Sequence, residues 1–148
     1  MYMDKIEMLL NTNVLKGTCY VEVQPGCYSG QFWSNDSVFF TDETFGLFSQ
    51  VITKYAPSYS IWGVTEITAD TWQLIVEELK QLGQFLSTYP PIDEIENHIA
   101  FVCEEDNKKD FVNNQLELTA QLIETINMFA SWIKDTCRTH LHITILGI

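Results

Sequence analysis

The segment GVTEITADTWQLIVEEL, residues 63–79, decides the fold class because a β-type pattern gives way to a helical one inside it. Thr68 has the hydroxyl side chain typical of a helix N-cap, and Asp70 follows where an acid interacts favourably with the helix dipole. The stretch Ser58 to Ile67 is predicted to hold a strand that ends just before this cap. After the cap, apolar residues recur at helical spacing: Trp72, Ile75, Val76, Leu79, Leu82 and Leu86.

Short β-prone runs lie on both sides of this segment. Pro25 and Gly26 form a turn pair, because proline presets φ and glycine adopts a positive φ without steric cost. Residues 4–10 fit either a short helix or a strand. The other predicted strands are Thr18 to Val23, Cys27 to Trp33, Val38 to Phe40 and a closing strand from Leu141 to Ile145.

Helical patterns also recur elsewhere in the chain. Thr41 is a predicted N-cap, and Pro57 ends the helix that it begins. Residues 92–102 fit a helix, although His98 to Cys103 fits a strand equally well. The longest helix is predicted to begin at Phe111 and to end near Thr136 to Arg138. The chain is therefore predicted to be a single α+β domain over residues 1–148. Its antiparallel or mixed sheet has about five strands, an N-terminal meander plus the C-terminal strand, with three to four helices mainly on one face.

The charge balance limits the classes of partner. Twenty acids and eight bases give a formal charge of −12 at pH 7. Nucleic acid is disfavoured because phosphates are bound by lysine and arginine, and anionic membranes are disfavoured for the same reason. A basic protein partner is favoured, since the field of the chain would steer its approach. A surface that is acidic only for solubility is an equally open interpretation.

The expected location is the cytoplasm. The first residues lack a basic stretch followed by an apolar one, so no signal peptide is predicted, and no apolar run is long enough to span a membrane. Four cysteines in such a chain are expected to be reduced thiols. A hairpin closed at Pro25 and Gly26 would place Cys27 opposite a residue near Val23, so no disulfide to Cys19 is predicted.

No motif for catalysis or nucleotide binding stands out, since the glycines form no phosphate loop and no G-x-S-x-G elbow is present. Cys137, His140 and His142 are the best metal candidates, but a structural zinc site needs a fourth ligand. The two histidines are instead expected to be exposed on an edge or face of the last strand, and the cysteines to be small buried hydrophobes. No catalytic residue, metal or cofactor is therefore expected. A small hydrolase would have to use scattered residues such as His98, Cys103, His140 and Glu66.

The densest acidic segment is the first candidate for a partner-binding face. Residues 93–110 carry a net charge of −5 in a loop-rich stretch, and such a segment complements a basic surface. A solvated loop is the competing interpretation. An exposed Trp33 is a candidate anchor, since Phe32 and Trp33 cannot both enter one core face of a strand. The acidic candidates are Asp93, Glu94, Glu96, Glu104, Glu105, Asp106 and Asp110, with Asp42 and Glu43 as further contributors.

The residues SNDSVFFTDETF, 34–45, lead from a strand into a helix, and GVTEITADTWQLIVEEL follows with a strand and a capped helix. This pattern resembles the immunity proteins of bacterial contact-dependent inhibition and related polymorphic toxin systems. The resemblance covers the first 90 or so residues in overall pattern and includes no specific motif. It implies a cytoplasmic inhibitor of a cognate toxin domain, often a nuclease and therefore basic.

The resemblance assigns no individual contact residue and leaves the oligomeric state, monomer or homodimer, open. A small-ligand-binding or regulatory domain is the alternative function. It would show a large apolar pocket with few convergent polar groups.

Overall fold

The computed structural model describes residues 3, 5–17, 19–102 and 104–148. Its four strands form one antiparallel sheet, so the α+β class is confirmed with four strands rather than about five. The strands are β1 (Tyr20–Pro25), β2 (Val38–Thr41), β3 (Val64–Thr68) and β4 (His142–Leu146). Their order across the sheet is β2-β1-β4-β3, so the C-terminal strand lies between the first and the third.

Six α-helices, rather than the predicted three to four, accompany the sheet in the described residues, with a 3-10 turn at Thr12–Val14. The helices are α1 (Asp42–Gly46), α2 (Ser49–Tyr55), α3 (Ala69–Leu86), α4 (Ile92–Ile95), α5 (Glu104–Asn113) and α6 (Gln115–Cys137). The two longest, α3 and α6, pack against each other and against the sheet.

The inner face of the sheet is apolar. Val21 lies opposite Phe40, and Val23 lies between Val38 on one side and Ile145 on the other. Alternate residues of a strand point to the same face, and all five of these side chains are at most 1% exposed. They belong to one core cluster with the apolar faces of α3 and α6.

Aromatic rings fill the centre of this core. The ring of Phe129 in α6 lies 4.9 Å from Phe40, 5.9 Å from Phe48 and 6.1 Å from Trp72, measured between centroids. Trp72 is fully buried, and its indole N–H donates to the carbonyl of Ile143 at 3.0 Å. The polar atom of the largest core side chain is therefore satisfied, as burial requires.

Both predicted N-caps are confirmed. The Thr41 hydroxyl accepts a hydrogen bond from the N–H of Thr44 at 3.2 Å, and the Thr68 hydroxyl accepts from Thr71 at 3.3 Å. Each cap joins a strand directly to a helix, because β2 ends where α1 begins and β3 ends where α3 begins.

Several predicted elements are wrong in detail. The helix begun by Thr41 divides into α1 and α2, because Leu47 and Phe48 both enter the core and the chain tightens into i→i+3 hydrogen bonds there. Residues 98–102 form neither helix nor strand, and Cys103 lies outside the described residues. Residues 5–10, for which helix and strand were both open, form neither and make only an isolated bridge from Leu9 to Phe39; Asp4 is also outside the described part.

The predicted strand Cys27 to Trp33 is wrong as well, since these residues form a loop. We call residues 26–37 the outer loop, because they fold back over the sheet face opposite the core. Their hydrogen bonds go to side chains of three strands, namely Glu22 and Gln24 of β1, Glu66 of β3 and Thr144 of β4. Backbone groups of the outer loop bond to side chains of these strands instead of to a neighbouring strand. The periodicity of the sequence does not show such bonds.

Candidate functional site

The predicted partner-binding acids divide into a solvated group and an enclosed group. Five of them are exposed, and we call these five the acidic surface: Asp93 and Glu94 in α4, and Glu104, Glu105 and Asp106 in the first turn of α5. Among the described residues, none of the five takes part in an ion pair. Their carboxylates are therefore available to a ligand.

One ion pair draws the two halves of the acidic surface together. Lys108 of α5 pairs with Glu96, which follows the last residue of α4. The hydrogen bond that Lys108 donates to Glu96 is the main cause that raises the pKa of Lys108, and the nearby charges of Asp93 and Glu104 add to the rise. Both helices thus present acids around Lys108, whose charge is matched by Glu96, and α5 also exposes the neighbouring Lys109.

Most of the basic residues are likewise occupied. Five of the eight bases form ion pairs with carboxylates, at Lys5–Glu7, Lys54–Glu78, Lys80–Glu77, Lys108–Glu96 and Arg138–Asp135. These pairs are largely exposed, and exposed pairs contribute about 0–1 kcal/mol each. Lys109, exposed on α5, is the other base of residues 93–110, and the segment still carries a net charge of −5.

The remaining predicted acids are turned toward the protein. Asp110 accepts a hydrogen bond from the N–H of Met3 at 2.9 Å, and Asp42 is only 6% exposed. Burial raises the pKa of Glu43 to about 7, and the hydrogen bond and the charge of Asp42 add to the rise. Whether any of these three contacts a partner stays a prediction, but the fold leaves little of Asp42 accessible.

Trp33 and Phe32 lie on the outer loop, and both are partly exposed, at 37% and 48%. Neither enters the core cluster. Trp33 packs edge-on to Tyr20 at 6.2 Å and lies 6.0 Å from Phe39, so one side of its ring rests on the outer sheet face. Its φ of 69° is unusual for a residue other than glycine.

The buried carboxylate of Glu22 holds this conformation. It accepts hydrogen bonds from the N–H of Trp33 at 2.6 Å, the N–H of Ser34 at 3.0 Å and the hydroxyl of Ser37 at 2.6 Å. Glu22 is 2% exposed, and these donors compensate for the lost hydration of its charge. Sequence reasoning missed this role, because Glu22 and Gln24 alternate with valines as solvent-facing residues of a strand do.

Two open clefts lie between α2 and the segment after α4, the first also bordered by α3 and the second by α5. One, of about 370 Å³, is lined by polar groups that include Lys54, Glu78 and His98, and the other, of about 350 Å³, reaches Glu104 and Lys108. Glu78 accepts from Lys54 at 3.0 Å and from the Tyr55 hydroxyl at 2.9 Å, and these hydrogen bonds lower the pKa of its carboxyl. The clefts share Gln50 and Asn97 and adjoin the acidic surface.

The residues of the hydrolase alternative are dispersed. His98 lies against Phe85 at 4.4 Å between ring centroids, Glu66 accepts from the N–H of Tyr28 at 2.7 Å, and His140 contacts Thr139. Among the residues that the structure describes, no hydrogen bond joins a histidine to a carboxylate or a thiol. Cys103 is outside that part of the chain.

The metal candidates are placed differently from expectation. His140 is exposed as predicted, whereas His142 is half-buried at the start of β4, which is an inner strand rather than an edge. Within the described ranges no group of three or more His, Cys, Asp or Glu is arranged to hold a metal ion. Cys19 and Cys27 are exposed free thiols, so the expectation that the cysteines are buried is wrong for both.

Comparisons with protein-family models, curated proteins and solved structures find no match to this chain. In the described residues, neither α3, α6 nor any shorter helix combines the length and apolar character that a membrane span needs.

Proposed function

We propose that this chain is a cytoplasmic immunity protein that binds a cognate, basic toxin domain and neutralises it stoichiometrically. The observation that carries the proposal is the acidic surface, where α4 and α5 present five exposed carboxylates without ion-pair partners in the described structure. A surface of one sign attracts a partner of the opposite sign and speeds their encounter.

The partner's chemistry follows from this charge. A nuclease binds its phosphate substrate with lysine and arginine, and the same side chains pair with carboxylates. An inhibitor that covers the substrate groove with aspartate and glutamate therefore competes directly with nucleic acid. The proposed mechanism is occlusion, with Asp93, Glu94 and Glu104 to Asp106 opposite the basic groove and Trp33 as a second point of attachment.

The test is to capture the partner with the tagged chain, in cells of the lineage from which the chain comes. The tagged chain is mixed with the C-terminal domain encoded by the adjacent gene, and the bound protein is identified by mass spectrometry at low and high salt. We expect a basic domain in equal amount, with its toxicity neutralised. An empty capture at every salt concentration contradicts the proposal.

A matched pair of variants locates the interface. Glu104→Gln, Glu105→Gln and Asp106→Asn together should weaken capture at least about tenfold, since each lost charge contact contributes about 0.5–1 kcal/mol. The control, Asp70→Asn, Glu117→Gln and Glu124→Gln, removes the same charge from exposed positions on α3 and α6. Equal loss in both variants would show that net charge, not the acidic surface, decides binding.

A small-ligand-binding or regulatory domain is the second candidate. The clefts beside α4 favour it, because Lys54, Glu78 and His98 converge on one of them. These charged groups suit a small charged ligand, and Val51, Leu82 and Phe85 give the same cleft an apolar side. A metabolite that raises the melting temperature of the chain, together with an empty capture, would favour this function.

A further inference from the structure

In the described residues, one edge strand of the sheet is covered by another segment of the chain, and the other is not. At the β2 edge, the N–H and carbonyl of Leu9 exchange two hydrogen bonds of 2.8 Å with Phe39, so the N-terminal segment covers that strand. At the other edge lies β3, and no further strand pairs with it in the described part of the chain. An uncovered edge strand is a template for pairing with another chain.

The hydrogen bonds that flank β3 show which of its groups face outward. Gly147 donates to the carbonyl of Gly63 at 2.9 Å, and Ala69 donates to that of Leu141 at 2.8 Å. Hydrogen-bonded and non-hydrogen-bonded pairs alternate along an antiparallel ladder. Between Gly63 and Ala69, the residues that bond to β4 are therefore Thr65 and Ile67. Val64 and Glu66 therefore turn their N–H and carbonyl groups away from the sheet. No described residue bonds to these groups.

The side chains along this edge do not protect it. β3 reads VTEIT and contains no lysine and no proline, the residues that usually block strand addition. Val64 is 43% exposed, and Trp62, two residues earlier, is 76% exposed. A large exposed aromatic beside open backbone groups is a suitable anchor for an incoming strand.

Charge identifies the occupant. Glu66 is the only charged residue of β3, and its side chain is exposed on the outer face. One of its oxygens accepts from Tyr28 at 2.7 Å, and the other accepts no hydrogen bond from a described residue. A lysine or arginine directly opposite Glu66 would be stabilising, whereas a second copy pairing about this residue would bring two carboxylates together. Two chains of charge −12 also repel each other.

We propose that the open edge of β3 binds an extended, lysine- or arginine-bearing segment of the partner protein as an added strand, with a basic residue opposite Glu66. The proposal rests on the proposed function, because it describes how the toxin domain attaches. The outward groups of Val64 and Glu66 would form the backbone hydrogen bonds, and Glu66 would select for positive charge.

The probe is a short capped peptide in which lysine and valine alternate, added to the isotope-labelled full chain. We expect amide hydrogen exchange at Val64 and Glu66 to slow at least about tenfold on saturation, because both amides become hydrogen-bonded. Binding that leaves these amides unprotected overturns the proposal. Protection that rises with the concentration of the chain alone also overturns it, because the occupant would then be a second copy.

Two variants separate backbone pairing from charge. Val64→Pro removes an outward N–H without breaking the β4 ladder, and it should weaken peptide binding at least about tenfold. Glu66→Gln keeps an oxygen for Tyr28 but removes the charge, so the preference for the lysine peptide over its glutamate counterpart should disappear. A Val64→Pro chain that fails to fold is replaced by a peptide N-methylated along its bonding edge, which should not bind the wild-type chain. Retained binding of that peptide overturns the proposal.

The capture experiment keeps this proposal distinct from the proposed function. If the wild-type chain captures a basic domain and Val64→Pro captures it equally well, strand addition is wrong and the proposed function stands. If the peptide protects Val64 and Glu66 but no basic domain is captured, the edge binds extended basic segments and the immunity function is wrong.

Discussion

The acid that supports the outer loop and the acids of the acidic surface differ in how they contribute to the fold. Glu22 is 2% exposed and accepts hydrogen bonds from three groups of the outer loop. Glu104, Glu105 and Asp106 are exposed at the first turn of α5 and take part in no ion pair with a described residue. An excess of acids in the sequence therefore includes both acids that hold the fold together and acids that the fold leaves exposed. Their position relative to the core separates the two.

The largest expected effect is that of Glu22→Ala. It removes the acceptor of three outer-loop donors and of the Gln24 side-chain amide at once, and each unsatisfied donor costs about 1–3 kcal/mol unless water replaces the carboxylate. We expect about 2–4 kcal/mol of destabilisation in urea unfolding. Glu22→Gln is the control, because it keeps one acceptor oxygen. Its free energy of unfolding should lie between those of the wild type and of Glu22→Ala. A change below about 0.5 kcal/mol would mean that the outer loop contributes nothing to stability.

Asn107 is a buried polar side chain that, unlike Glu22, lacks hydrogen-bond partners among the described residues. It is 0% exposed, and neither of its amide atoms has a hydrogen-bond partner among the described residues. An unsatisfied buried amide costs free energy, so Asn107→Leu, of similar size, should stabilise the chain by about 1–2 kcal/mol. The measurement is the same urea transition, with Asn113→Leu at an exposed site of α5 as the control. Destabilisation would show that Asn107 has a partner of its own.

The raised pKa of Glu43 predicts that the free energy of unfolding depends on pH. Burial raises its pKa from 4.5 to about 7, so the folded state holds a proton that the unfolded state releases. The resulting stability is fully present below about pH 4.5 and is lost as the pH rises through about 7. Because Glu43 is partly exposed, we expect a loss of about 1 kcal/mol rather than the full value of the shift. Glu43→Gln should flatten this part of the stability–pH curve, and an unchanged curve would contradict the assignment.

The smallest effect on stability is expected at the acidic surface itself. Glu104→Gln, Glu105→Gln and Asp106→Asn lose a favourable interaction with the helix dipole but also relieve repulsion between neighbouring charges. The net change in unfolding free energy should stay within about 0.5 kcal/mol. A larger destabilisation would show that these acids, like Glu22, support the fold.

The sequence predicted the elements whose signals are local. The caps at Thr41 and Thr68, the apolar stripe of α3 and the strand class of β1, β2 and β4 all depend on residues a few positions apart. Within the candidate site, the exposure of Asp93, Glu94 and Glu104 to Asp106 also follows from local polarity.

The parts that sequence reasoning missed depend on contacts distant in the chain. The outer loop takes its shape from Glu22, Glu66 and Thr144, which come from three different strands. The insertion of β4 between β1 and β3 leaves β3 at an edge, and no periodicity encodes strand order. The enclosure of Asp42 results from the packing of α1 against β1 and β2, which a first-turn acid does not reveal.

The most direct test of the central claim is the association rate of the chain with the captured basic domain, measured by stopped flow across a range of salt concentrations. The wild-type rate should fall at least about tenfold from low to high salt. The variant neutralised at Glu104, Glu105 and Asp106 should start slower and depend less on salt, while the control variant on α3 and α6 behaves like the wild type. Equal rates and equal salt dependence for all three chains would contradict binding through the acidic surface.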